Sequence, residues 1–248
     1  GDAAGLRADF PESATGAGDR GPSVRRMGQE DYKQLQGKRS KAKEYPQQEQ
    51  AVEDFKHFAG LIDALDKRGT KGIKGSGAFL ELGCRTGFLL EHLSKGGWKD
   101  VRGLELIAAS AEFGRRKGRP VHIGDMHDLA QAGVLTSSVQ FLFSRHSLEH
   151  TLDYMKVLRE VRRVVAPAGY AAVVIPIEPV GCEGCTVHEL HTQPFSSEAT
   201  LPSALEALGF QIISRELLVS RMGPKYPARQ GQEAAYKYEQ RVLARLPS

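Results

Sequence analysis

Between residues 78 and 176, short apolar runs alternate with stretches whose apolar side chains recur every three or four positions. The first run begins at Ala78, and the later runs span residues 101–105, 121–124, 139–144 and 170–175. The stretches between them predict helices at residues 88–94, 107–117 and 154–165. Run 139–144 is nearly all apolar, which is typical of a strand buried on both faces. This alternation predicts an α/β fold, with a parallel sheet and helices on both of its faces.

The flanking residues predict further elements. Residues 46–65 predict a helix, with one apolar face formed by Val52, Phe55, Phe58, Leu61/Ile62 and Leu65. Residues 67–77 contain four glycines, which indicates a flexible link into the first strand. Residues 198–208 predict a helix and residues 210–214, or 210–219, a sixth strand. Residues 236–246 are ambiguous, because their pattern fits either a strand or a helix.

Length and composition suit a single domain with extensions. The chain has 248 residues, 40% of them hydrophobic, and no apolar run of the roughly 18–20 residues that a membrane span requires. Three cysteines indicate a reducing compartment, so we expect a cytoplasmic protein, with an organelle left open. We divide the chain into a flexible basic extension (1–45), the helix and its link (46–77), and a main domain (78–248). The main domain contains a long loop (179–195) and a basic excursion (221–232).

The turn after the first strand predicts a ligand site. Glu81 ends the apolar run, and Gly83 and Gly87 follow in a tight turn that opens the next predicted helix. In open α/β sheets the ligand crevice lies at the carboxyl ends of the strands. Glycines there let the backbone turn sharply and approach a ligand closely. The turn lacks the G-x-G-x-x-G order, and the chain has no second substrate domain, which disfavours a nucleotide-dependent dehydrogenase.

Several motifs in this region together resemble the class I S-adenosylmethionine-dependent methyltransferases, most closely their type-11 (UbiE-like) branch. The matching segments are ELGCRTG at 81–87, the acid Glu105, GDMHDL at 124–129, SRHSLEH at 144–150 and LREVRRVVAPAGY at 158–170. They cover roughly 100 residues in the order and spacing of the family. The resemblance implies a Rossmann-like, doubly wound sheet of about seven strands, mostly parallel, whose last strand is antiparallel. It also implies that the helix 46–65 caps the cofactor crevice.

The resemblance implies S-adenosylmethionine as the cofactor. The residues expected to bind it are Glu81, Gly83, Cys84, Arg85, Gly87, Glu105, Leu106, Asp125, Met126, Ser144 and Arg145. Glu105 ends the second strand, where its two oxygens can bind two ribose hydroxyls. Asp125 is expected to accept from the adenine amino group, with Met126 packed on the ring. Glu81 is expected to bind the backbone turn, or the cofactor's ammonium through water.

The chain departs from the family at two glycine positions. Arg85 replaces the middle glycine of the turn, and Ala168 replaces the first glycine of the usual Pro-Gly-Gly. Arg85 can pair with the carboxylate of the cofactor, a charge-assisted contact, or it can fill the methionine pocket. We favour the pairing. The departures also keep an alternative open, in which the protein is a catalytically inactive scaffold subunit of a larger, for instance ribonucleoprotein, assembly.

Candidate catalytic groups follow the fourth strand. His146 can act as a general base near neutral pH. His150 is the second candidate, or else a helix-face residue bonded to backbone. SRHS stands where enzymes that methylate the amino groups of bases carry an Asn-Pro-Pro-Tyr-like tetrapeptide. We therefore favour a hydroxyl, carboxyl or carbon atom of a small molecule as acceptor.

Two further features bear on partners and metals. The formal net charge is +4, and the basic segments 25–43 and 215–245 can bind RNA or a ribonucleoprotein, although such runs are more often solvated surface. Cys182, Cys185, His188 and His191 are of zinc-ligand types. Four ligands within ten residues would be cramped around a tetrahedron, so we expect no metal and instead a loop that closes over the acceptor.

Overall fold

The structure is a computed structural model that describes residues 48–66, 69–177, 195, 197–221 and 236–248. Its helices are α1 (Gln48–Leu65), α2 (Gly69–Ser76), α3 (Phe88–Lys95), α4 (Ala108–Arg116), the 3₁₀ helix Leu148–His150, α5 (Tyr154–Val164) and α6 (Thr200–Ala207). Its strands are β1 (Ala78–Leu82), β2 (Asp100–Glu105), β3 (Val121–Ile123), β4 (Val139–Arg145), β5 (Val165–Ile177), β6 (Gln211–Arg221) and β7 (Tyr236–Arg245).

The seven strands form one sheet in the order β3-β2-β1-β4-β5-β7-β6. Strands β1 to β5 pair in parallel, whereas β7 runs antiparallel to both β5 and β6. This architecture confirms the predicted Rossmann-like fold with an antiparallel last strand. The ambiguous segment 236–246 is a strand, as the resemblance implied.

Both faces of the sheet are buried, which explains the nearly continuous apolar runs. On β4, Leu142 joins one core cluster with residues of α5 and α6, while Phe141 and Phe143 join a second cluster with residues of α1 and α3. All three side chains are fully buried. The carboxyl ends of the parallel strands therefore meet along one edge of a rigid sheet.

Helix α1 packs on the face of the sheet that carries Phe141 and Phe143. Its residues Val52, Phe55, Phe58 and Ile62 are buried, as predicted from the pattern. The Phe55 ring meets the rings of Phe79 and Trp98 edge to face, with centroids 5.8 and 5.5 Å apart. Leu65 was wrongly placed on the buried face, because the helix ends there and the side chain is 62% exposed. None of the helices in the described ranges is long and apolar enough to cross a membrane.

Two predicted boundaries were wrong. The link predicted at 67–77 contains helix α2, whose start is stabilised by Asp63, because Thr70 donates its amide and its hydroxyl to Asp63 Oδ1 over 2.6 and 2.8 Å. Strand β5 begins at Val165 rather than 170, because Val165 is already extended and pairs with Val139 before an irregularity in the ladder. The predicted extension 1–45, most of the loop 179–195 and the excursion 222–232 lie outside the described residues.

Candidate functional site

The turn between β1 and α3 approaches β2 closely at the carboxyl edge of the sheet. The amides of Gly83 and Cys84 both donate to the Leu104 carbonyl, over 2.9 and 3.1 Å. Gly83 has φ +71°, and a Cβ there would overlap Ser147 Oγ and lie 2.8 Å from Ser147 Cβ. Gly87, with φ +69°, is the residue before α3. The two predicted glycines therefore meet a backbone and steric requirement of the turn.

Two buried carboxylates lie at the ends of β1 and β2. Glu81 Oε2 is buried and has no hydrogen-bond partner within the described residues. Burial, and after it the charge of Glu105, raises the pKa of Glu81 to about 8. Glu105 accepts from the amides of Arg85 and Ile107, over 2.9 and 2.8 Å. Burial raises the pKa of Glu105, and hydrogen bonds from the amides of Ile107, Arg85 and Leu106 oppose that rise.

The turn also carries an unusual arginine and a buried thiol. Arg85 is exposed and adopts φ +51°, the left-handed conformation that favours glycine. Ala168, the other residue that replaces a glycine of the family, has φ +60°. Cys84 is a buried free cysteine, and burial raises the pKa of its thiol.

After β3, Asp125 forms a local hydrogen-bonded unit with a histidine that the sequence analysis missed. Asp125 Oδ1 accepts from the amide and from Nδ1 of His127, over 2.9 and 2.6 Å. Nε2 of His127 accepts from the Asp153 amide over 3.3 Å, which assigns the ring proton to Nδ1. Met126 lies beside the β1 turn, with its Cε 3.8 Å from the position of a Cβ on Gly83.

The last residues of β4 belong to a cluster of charges to which α1 and β7 also contribute. Arg145 donates from Nε to Asp54 of α1 over 2.6 Å and from Nη2 to Glu239 of β7 over 3.1 Å. Arg241 of β7 donates from Nε to the other oxygen of Asp54 over 3.0 Å. Ser144, 1% exposed, has a buried hydroxyl with no partner in the described part of the chain. The guanidinium of Arg145 is thus held by acids.

His146 continues this cluster. It adopts φ +48°, and its Nε2 forms a hydrogen bond with Glu239 Oε1. Glu149, 1% exposed, has its Oε1 3.8 Å from Nδ1 of His146 and 3.8 Å from Nε2 of His150. Neither carboxylate oxygen of Glu149 has a hydrogen bond within the described ranges.

Three residues of this cluster were not predicted from the sequence: Asp54, Arg241 and Glu239. A signal existed for Asp54, because an acid on the apolar face of a predicted helix needs a buried partner. Nothing in the local sequence marks Glu239 or Arg241.

A cavity of about 180 Å³ is lined by residues of the β1 turn, of the end of β4 and of α1. Six of the predicted site residues line it: Glu81, Gly83, Cys84, Arg85, Arg145 and His146. Helix α1 adds Gln48 and Ala51 to the wall. The cavity therefore lies between the β1 turn, the end of β4 and the first turns of α1.

No group of three or more His, Cys, Asp or Glu side chains in the described segments could hold a metal ion. The set Cys182, Cys185, His188 and His191 lies outside the described residues.

Comparison with known proteins gives a family model that matches residues 80–173 and is described as a methyltransferase domain. A comparison with curated proteins found no match.

Solved structures share the fold at low sequence identity. The [4+2]-cyclase SpnF has a TM-score of 0.58 at 17% identity, over 84% of this chain and 85% of that chain. A chain of the complex between the Haloferax volcanii Trm112 methyltransferase activator and a putative methyltransferase has a TM-score of 0.56 at 14% identity, over 79% and 97%. Haemonchus contortus phosphoethanolamine N-methyltransferase 2, in complex with S-adenosyl-L-methionine, has a TM-score of 0.53 at 14% identity, over 71% and 50%.

Proposed function

We propose that the protein is an active class I S-adenosylmethionine-dependent methyltransferase of the type-11 family, because a methyltransferase-domain model matches residues 80–173 and solved methyltransferase structures share the fold. Its cofactor is S-adenosylmethionine, bound at the carboxyl ends of β1, β2 and β4. The acceptor is a small molecule.

The observation that carries this proposal is the buried carboxylate of Glu81. Its Oε2 has no hydrogen bond within the described residues, and Glu81 lines the cavity. Such an atom is costly to bury unless a ligand satisfies it. The α-ammonium of the cofactor supplies hydrogen-bond donors and a positive charge, so the residue fits this group. A protein that only served as a scaffold would gain nothing from the unsatisfied acid.

The remaining cofactor contacts follow from the positions of the side chains. Glu105 is fixed in orientation by two backbone amides, and each of its oxygens keeps a further lone pair for a ribose hydroxyl. Asp125, oriented by His127, and Met126 bind the adenine. Arg85, exposed on the wall of the cavity, pairs with the carboxylate of the methionine part.

Bound S-adenosylmethionine supplies a methyl group on a positively charged sulfur, so the protein has to hold the acceptor in line and remove any proton it loses. Helix α1 contributes Gln48 and Ala51 to the wall of the cavity. His146, which lines the cavity, accepts the proton. His150 is the weaker candidate, because it is not among the described residues that line the cavity.

We favour a small acceptor because SRHS at 144–147 stands where enzymes that methylate the amino groups of bases carry an Asn-Pro-Pro-Tyr-like tetrapeptide. RNA is the competing acceptor. Of the two basic segments that would bind it, 25–43 lies outside the described residues, and in 215–245 the described Arg241 is already paired with Asp54. The inactive scaffold remains the second candidate function, favoured by Arg85 in place of glycine.

The test is transfer of label from methyl-tritiated S-adenosylmethionine to a small-molecule extract and, separately, to total RNA. We expect label in the small molecules with the wild-type protein and with the control Glu206→Gln, which changes an exposed acid on α6. Glu105→Gln should lower transfer at least about tenfold, a loss of about 1.4 kcal/mol. If label appeared in RNA alone, the acceptor would be RNA and not a small molecule. Binding of the cofactor without any transfer would favour the scaffold.

A further inference from the structure

Glu239 and His146 meet across the sheet although 93 residues separate them. The register explains the contact. Arg145 at the end of β4 pairs with Val174 of β5, and Val174 pairs with Arg241 of β7. Glu239 precedes Arg241 by two residues on β7 and lies on the same face of that strand. Because β7 is antiparallel to β5, Glu239 pairs with Pro176 and lies beyond the end of β4. There its carboxylate reaches the first residue after β4, which is His146.

This contact assigns the two nitrogens of the His146 ring different roles. A carboxylate only accepts, so Nε2 carries the proton and donates it to Glu239 Oε1. Nδ1 has no hydrogen bond within the described residues, and its nearest acidic atom is Glu149 Oε1 at 3.8 Å. The backbone of His146 is in the left-handed region, and its amide donates to the Val174 carbonyl over 2.9 Å. The ring is therefore held at the cavity wall with one nitrogen able to take a proton.

Charged groups from several elements surround the ring. Glu239 of β7 contacts one side and the buried Glu149 of the 3₁₀ helix lies near the other. Arg145 of β4 donates to the same Glu239 oxygen over 3.1 Å, while Asp54 of α1 faces Arg145 rather than His146. Nε2 of His150 lies 3.8 Å from the same Oε1 of Glu149. An imidazolium at His146 would thus lie between two carboxylates.

We propose that Glu239 is a positioning residue for methyl transfer, which presents Nδ1 of His146 to the acceptor. This inference rests on the proposed function. As the acceptor atom forms its bond to the methyl carbon, the bond from that carbon to sulfur breaks and leaves its electron pair on sulfur. The bond from the acceptor atom to hydrogen also breaks, and the proton goes to Nδ1. The electron pair of that bond stays on the acceptor atom. Glu239 and Glu149 stabilise the resulting imidazolium, which later releases the proton to water.

The chain offers a matched control in a second pair of the same kind. Nε2 of His57 contacts Glu216 Oε1 at 2.9 Å, in a pair that is about one-third exposed and does not line the cavity. Glu216→Ala therefore removes the carboxylate partner of a histidine without touching His146.

The experiment is nitrogen-15 NMR of the imidazole rings in the ligand-free full chain, with His146 and His57 assigned through His146→Asn and His57→Asn. We expect the wild-type spectrum at neutral to alkaline pH to show His146 protonated on Nε2. Glu239→Ala should give a mixture of both tautomers at His146 and leave His57 unchanged, while Glu216→Ala should do the reverse. S-adenosylhomocysteine should bind to Glu239→Ala within about threefold of the wild-type affinity, since Glu239 is not among the residues that we assign to the cofactor.

A wild-type His146 that is protonated on Nδ1, or a His146 spectrum that Glu239→Ala does not alter, would overturn the proposal. The wild-type spectrum shows which nitrogen of His146 is protonated even if Glu239→Ala fails to fold. In that case Glu239→Gln, whose side chain has the same shape as that of Glu239, replaces the alanine variant. A failure of the proposed function is distinguishable, because it would abolish ligand binding while the ring spectrum stays as expected.

Discussion

Arg145 at the end of β4 donates from Nε to Asp54 of α1 over 2.6 Å, although 91 residues separate the two. Asp54 is 2% exposed, and its other oxygen accepts from Arg241 of β7. One buried carboxylate thus connects the helix that covers the cavity to two strands of the sheet. The pair holds α1 in place over the site and constrains the residue that precedes His146.

Replacing Asp54 by Asn should strongly destabilise the fold. The change leaves the guanidinium groups of Arg145 and Arg241 without their shared charge in a largely buried site. Breaking a buried ion pair in this way typically costs about 3–5 kcal/mol. Urea unfolding measures the loss. Asp63→Asn on the same helix is the control, since within the described residues the exposed Asp63 accepts only from Thr70, and its loss should cost less than about 1 kcal/mol. Equal losses for the two variants would contradict this account of the cluster.

Gly83→Ala should cost more stability than Gly118→Ala. Both glycines have a positive φ, at +71° and +77°, so both variants carry the same conformational strain. Only at Gly83 would the new Cβ overlap Ser147, whereas at Gly118 nothing lies within 4 Å. We expect a difference of about 1–3 kcal/mol in the free energy of unfolding. Thermal or urea unfolding of the two variants, measured side by side, gives this difference. If both variants lost the same free energy of unfolding, the turn at Gly83 would not lie as close to Ser147 as the structure shows.

The raised pKa of Glu81 should make the protein less stable as the pH rises. Between 4.5, its ordinary value, and about 8, the folded protein keeps a proton that the unfolded chain has released. The free energy of unfolding therefore falls with increasing pH in this window. From about pH 5.5 to about pH 7.5, the wild type should lose roughly 3 kcal/mol more than Glu81→Gln. Urea titrations at several pH values compare the slopes, and parallel slopes would show that Glu81 is not the group responsible.

Arg85→Gly should raise stability and lower affinity for S-adenosylhomocysteine. Glycine relieves the left-handed strain at φ +51°, which is worth about 1 kcal/mol. The same change removes the guanidinium that we assign to the cofactor carboxylate. Ala168→Gly, at φ +60°, is the control and should raise stability without affecting binding. Unfolding curves and calorimetric titrations of both variants separate the two effects. Unchanged affinity in Arg85→Gly would remove Arg85 from the binding site.

The central parallel strands were predictable because they are apolar runs buried on both faces, as residues 139–145 illustrate. The resemblance also located Arg85 and Ala168 at glycine positions, and both have positive φ. The pattern did not predict α2, because its glycines are typical of a flexible link. The contact that stabilises its start comes from Asp63, which lies outside the helix. The contact of Glu239 with His146 was not predictable either. It depends on the register of β7 against β5, which no local pattern specifies.

The most direct test of the central claim is calorimetric titration of the purified protein with S-adenosylhomocysteine, for the wild type, Glu105→Gln and the exposed control Glu206→Gln. The account predicts a dissociation constant on the order of micromolar for the wild type and the control, and at least about tenfold weaker binding by Glu105→Gln. A saturating ligand should also raise the unfolding free energy of the wild type by about 2–3 kcal/mol. Folded protein that gives neither heat nor stabilisation would contradict the claim that the crevice at β1, β2 and β4 binds this cofactor.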